Sequence, residues 1–204
     1  MHPTRDLRRL LDPAEHRLRL LTHRVGGCSV PPTPEYERVI ALATIEVFNL
    51  WALFSRHFFV SCALGARTVG GVYARSRVMR FATPADVIAF ARVKLSPKEK
   101  VKKNIWNEPA WHKAQVLLDL AKHADLSNQN QIAVALSVPG RSLDDLPKAR
   151  HFFAHRSART AEEVRGIALN YNLPSSLRPA VLVGSRPPGR GRSVLLEWIL
   201  ECQA

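Results

Sequence analysis

Acidic side chains, cysteines and strand-like runs are all scarce in this 204-residue chain, and each scarcity removes a class of protein. Asp and Glu number 17 against 30 Lys and Arg, which leaves a formal charge of +13. Such an imbalance points away from acidic small molecules and towards a polyanionic partner, nucleic acid first and an anionic membrane surface second. The three cysteines, Cys28, Cys62 and Cys202, are odd in number, far apart and without a Cys-x-x-Cys pair. Neither a disulfide framework nor a zinc knuckle is expected from that set, and a reducing cytoplasm is the simplest setting. No apolar stretch follows Arg5, Arg8 and Arg9; Asp12, Glu15, His16 and Arg17 come instead, so no export signal is expected. Beyond Ala180 to Val183 no strand-like pattern is sustained, and no internal repeat is visible. The expectation is therefore an essentially all-α fold.

Long apolar runs are scarce too. The longest, Val39 to Phe54, carries Glu46 and Asn49 in its middle and is bounded by Arg38 and Arg56. It falls short of the roughly 20 apolar residues that a membrane span needs. Thr33-Pro34-Glu35 supplies an N-cap, a proline at the first helical position and an acid in the first turn, so a buried central helix is expected from there to about Ala63. Glu46, Asn49 and Arg56 can share one side of that helix, where they would either satisfy one another or line a cleft.

What is present in quantity is helical periodicity. Leucines at 7, 10, 11, 18, 20 and 21 recur among arginines, the pattern of one or two basic amphipathic helices divided near Pro13. A solvated basic face is preferred here to membrane binding. Thr83-Pro84-Ala85-Asp86 caps a helix through Lys94, and Asn107-Glu108-Pro109 is expected to open another, with His112 and His123 three turns apart on it. That separation is too great for one metal, and no metal or other cofactor is expected. Asn128 to Val138 reads as a short helix stopped by Pro139-Gly140. Ser142 or Asp144 starts the next, with Pro147 expected in its first turn, and further helices are expected from about Thr160 and from Ser193 to Cys202. Two stretches concentrate positive charge for a phosphate backbone: Lys98, Lys100, Lys102 and Lys103, and the Pro/Gly-rich loop bearing Arg186, Arg190 and Arg192.

The candidate chemistry lies in Lys148-Ala-Arg-His-Phe-Phe-Ala-His-Arg156. On a helix, His151 and His155 stand one turn apart on one face, with Arg150 at its edge and Arg156 just beyond. Imidazoles exchange protons near neutral pH, and guanidinium is a planar fork matched to phosphate. Such a set suits phosphodiester cleavage without a metal.

The hexapeptide Arg150-His-Phe-Phe-Ala-His155, arginine followed by a polar residue and histidine four positions later, resembles the signature of the HEPN superfamily. The long apolar helix with its mid-helix acid and asparagine, and the acidic helix start at Asp144 and Asp145, agree with that resemblance over about residues 34 to 172. It implies a HEPN-like helical bundle, assigned here to residues 31–172; the basic amphipathic segment at 1–30 and the basic loop and terminal helix at 173–204 lie outside the resemblance. It also implies a homodimer in which two motifs face each other in a composite site, and in many members a metal-independent endoribonuclease. Arg150 and His155 fall on the signature pair and His151 on the polar position between them. Some toxin members carry a tyrosine two residues after the histidine, which a partner antitoxin modifies; Ser157 stands there in this chain, which argues against that mode of control. The expectation is a cytoplasmic RNase of toxin or antiphage-defence type, with RNA as substrate, an antitoxin or defence-system protein as possible partner, and no membrane. The alternative is a non-catalytic RNA-binding or assembly subunit.

Overall fold

The computed structural model describes residues 1–26, 33–95, 108–137 and 141–203. It is all-α apart from one two-stranded sheet: α1 (Arg8–Gly26), α2 (Pro34–Leu64), β1 (Ala66–Arg67), β2 (Tyr73–Ala74), α3 (Pro84–Leu95), α4 (Ala114–His123), α5 (Gln129–Leu136), α6 (Ser142–His155), α7 (Ala158–Arg165), a 3-10 helix (Gly166–Tyr171), α8 (Pro179–Gly184) and α9 (Val194–Glu201). The chain divides into two compact units, Met1–Ala14 with Trp51–Pro139, and Glu15–Leu50 with Gly140–Ala204, the divisions falling inside α1 and α2.

Local chemistry explains most helix starts. Thr33 accepts from the Tyr36 amide through its hydroxyl (3.2 Å) and from the Glu37 amide through its carbonyl (3.0 Å), which begins α2 where the sequence indicates. Thr83 and Asp86 exchange side-chain bonds with each other's backbone amides, a capping box that opens α3. Pro13 lies inside α1, which runs on through it as a single helix. By length and composition α2 is also apolar enough to cross a membrane; its Ile40, Ala43, Val47 and Leu50 are buried in one unit and its Phe59, Val60 and Cys62 in the other.

In the first unit Leu7, Phe59, Val60, Val87, Trp111, Leu117, Leu120 and Leu126 form the core. The N-terminal segment lies beside β1, with the Arg67 amide donating to the Arg5 carbonyl (2.8 Å) and the Leu7 amide to the Arg67 carbonyl (3.0 Å). The sheet is antiparallel, Ala66 opposite Ala74 and Arg67 opposite Tyr73. The helix expected to open at Asn107-Glu108-Pro109 starts only at Ala114, with Lys113 extended before it. Glu108 and Trp111 bind each other and the side chains of α2, so residues 108–113 follow tertiary contacts instead of a helical path.

In the second unit α6 packs on α7, α8 and α9. Its start is set from far away: the Ser142 amide donates to the Glu201 carboxylate at 2.9 Å. Helix α6 therefore begins at Ser142, and Pro147 sits in its second turn, not in its first. Ala180 to Val183, an apolar run that reads as strand-like, is helical in α8, where Pro179 occupies the first turn and Ala180, Leu182 and Val183 are all buried. Burial on nearly every side hides the helical period of so short an element.

Candidate functional site

Helix α6 delivers the motif to its own C-terminal end. Leu146, Ala149 and Phe153 are buried at a spacing of three and four residues, which anchors one face of the helix and turns His151 and His155 the other way. The helix stops at His155 because Arg156 adopts the left-handed conformation (φ 42°), its amide donating to the Phe152 carbonyl at 2.7 Å. Ser157 then caps α7: its hydroxyl accepts from the Thr160 amide while Thr160 accepts from the Ser157 amide. Its role here is that of a helix cap, and the sharp turn it completes lays α7 against α6.

Helical spacing within α6 brings the two imidazoles together. The rings of His151 and His155 are 4.9 Å apart and nearly perpendicular (82°). His151 is half-buried and His155 exposed. Glu163, on α7, stands 3.8 Å from His151 Nδ1 and also pairs with Arg159 at 3.3 Å. Glu163 is a contributor that the motif alone did not reveal. Arg150 has a different neighbour. Its guanidinium carbon lies 5.3 Å from the centre of the Phe48 ring on α2, and its Nε is buried without a hydrogen-bond acceptor. The stacking holds the side chain in one orientation, and the unmatched donor is a local cost.

The remaining expected site residues are dispersed. Glu46 pairs with Arg17 (3.4 Å) and Arg24 (4.0 Å). Arg56 does not turn to it: its fork binds Glu108 at 2.7 and 3.0 Å. Asn49 is exposed. Arg190 pairs with Glu197 at 2.6 Å and lies over the Tyr171 ring, while Arg186, Arg192 and Arg156 are exposed. Lys98, Lys100, Lys102 and Lys103 lie outside the described residues.

Two further polar clusters serve packing. Asp145, 1% exposed, accepts from Lys148 (3.0 Å) and Asn170 (3.1 Å), and the Tyr171 hydroxyl donates to it at 3.4 Å while accepting from Trp198 Nε1 at 2.7 Å. Burial pushes the Tyr171 hydroxyl well above the usual phenol range. Around Arg56, the Glu108 carboxylate also accepts from Trp111 Nε1 at 2.9 Å. The Arg56 hydrogen bond holds that carboxyl below its ordinary range. Next along α2, His57 is 5% exposed with Nδ1 lacking a partner. Burial, and then the positive charge of Arg56, push its imidazole down to about 4. Among the described residues, no three His, Cys, Asp or Glu side chains are grouped to hold a metal ion.

The chain matches no protein-family model, and neither a curated protein nor a solved structure matches it.

Proposed function

We propose that this protein is a HEPN-like endoribonuclease that cleaves RNA by internal transesterification without a metal, acting in the cytoplasm as a toxin or antiphage-defence effector. The observation that carries the proposal is the facing pair of imidazoles, His151 and His155, at the end of α6 beside Glu163. Two proton carriers within one ring's width of each other are what a concerted acid and base require. The exposed His155 takes the proton of a ribose 2′-hydroxyl, and O2′ attacks the adjacent phosphorus. The P–O5′ bond breaks as His151, oriented by Glu163, or the second copy's histidine, returns a proton to O5′. The products are a 2′,3′-cyclic phosphate and a 5′-hydroxyl end; DNA, lacking the 2′-hydroxyl, is inert.

Arg150 stabilises the charge on the phosphorane oxygens. Its side chain is turned to Phe48 and the imidazoles to α7, so a phosphate touching both kinds of group is better served by two copies facing each other than by one. A homodimer with a composite site follows from that reasoning, with a defence-system or antitoxin protein as the partner that restrains it. The orientation of Arg150 also favours a second reading, a non-catalytic RNA-binding or assembly subunit. Labelled RNA and matched DNA, incubated with the purified protein in excess EDTA, separate the two. Cleavage of RNA alone, lowered about 10²- to 10⁴-fold in His155→Ala and about 10²- to 10³-fold in Arg150→Ala, supports the enzyme. Salt-sensitive binding without cleavage supports the module.

A further inference from the structure

The hairpin of the first unit carries a feature that the α6 motif leaves unused. Residues 66–80 hold four arginines, Arg67, Arg75, Arg77 and Arg80, and no Asp or Glu. The register decides how they are displayed. Ala66 and Ala74 face each other and are buried (0% and 1% exposed), so the other pair, Arg67 and Tyr73, stands side by side on the outer face. Arg75, two residues beyond Tyr73, shares that face by the alternation of the strand. Tyr73 is 63% exposed. Such exposure is unusual for a ring able to bury its apolar body. The nearby carboxylates are engaged: Asp6 accepts from the Arg8 amide at 3.1 Å, and Asp125 pairs with Arg77 at 3.8 Å.

We propose that this hairpin face is a binding surface for single-stranded RNA, with Tyr73 as the platform on which a base stacks and Arg67 and Arg75 as the flanking contacts to phosphate. A flat ring between two guanidiniums is the arrangement that sequence-tolerant single-strand binders use, because every base has a π-face and every nucleotide a phosphate. An anionic membrane would meet the charges equally well. The exposed apolar side chains here, Val69, Val72, Val78 and Met79, lie on a hairpin and the turn after it, not along one face of an amphipathic helix of the kind that lies in a lipid interface. The inference rests on RNA being the polyanion of the proposed function, but not on cleavage.

The test is fluorescence anisotropy of the full chain with a labelled 2′-O-methyl RNA, which cannot be cut by 2′-hydroxyl attack. Tyr73→Ala weakens binding about tenfold and Tyr73→Phe leaves it near wild type, since the ring alone stacks. The Arg67→Ala/Arg75→Ala pair lowers the slope of log affinity against log salt by about 1.4, from about 0.7 per phosphate contact on a single strand. Circular dichroism and urea melts identify any variant that has merely unfolded, and Tyr73→Phe keeps the comparison interpretable. Wild-type binding by Tyr73→Ala and by the double arginine variant overturns the inference even if RNA is cleaved. So does Tyr73-dependent flotation with phosphatidylserine vesicles while RNA binding is unaffected. Tyr73-dependent binding without any cleavage of ordinary RNA upholds the surface and removes the nuclease instead.

Discussion

His57 makes the stability of this protein depend on pH between about 4 and 6.5. Its imidazole is buried on α2 and pushed from an ordinary 6.5 down to about 4, so the unfolded chain takes up a proton that the folded chain refuses. The sign follows from linkage: the contribution is complete above pH 6.5, falls as pH drops below it, and is gone by about pH 4. The full difference corresponds to about 3 kcal/mol, and by pH 5 about 2 kcal/mol of it is lost relative to pH 7.5. Urea denaturation at pH 7.5, 6 and 5 measures this directly. In His57→Phe, which keeps a ring but removes the titration, the loss of about 2 kcal/mol between pH 7.5 and 5 disappears. Subtracting the variant's profile removes the titration of the carboxylates and of the other histidines, which both proteins share. If His57→Phe loses as much stability as wild type over the same range, the reasoning from burial at this position is wrong.

Three further outcomes are expected. Glu108→Gln strands the guanidinium of Arg56, itself only a quarter exposed, and costs about 2 kcal/mol in urea midpoint, less than a fully buried pair because water reaches the edge of this one. Because the Glu108 carboxyl is held low, its contribution is present above pH 4.5 and lost on acidification below it, so acid unfolding of the wild type and of this variant converge. Gly184→Ala places a methyl group on the Tyr36 hydroxyl, which donates to the Gly184 carbonyl at 2.9 Å, and destabilises by about 2 kcal/mol; a thermal melt that does not move refutes that close approach. In the cleavage assay, His151→Ala lowers kcat by about 10²-fold and Glu163→Gln by about tenfold with KM unchanged, whereas equal effects on kcat and KM would make Glu163 a scaffold residue.

The sequence by itself determined the helical class and the starts of α2, α3 and α9. These depend on chemistry within a few residues: Thr33 before Pro34, the Thr83–Asp86 box and Ser193 before α9 all act over three positions. It also determined that His151 and His155 would meet, because one helical turn separates them. Tertiary structure decided everything that depends on distant partners. Glu201 sets where α6 begins, Glu108 and Trp111 delay α4, and nearly all-round burial goes with a helix in an apolar run that reads as strand-like. It gave Arg150 to Phe48 and His151 to Glu163, and it turned Arg67, Tyr73 and Arg75 onto one face. The physical reason is the same in each case: a cap is satisfied by its neighbours along the chain, whereas a charge, a ring or a buried methyl group is satisfied by whatever the fold brings near.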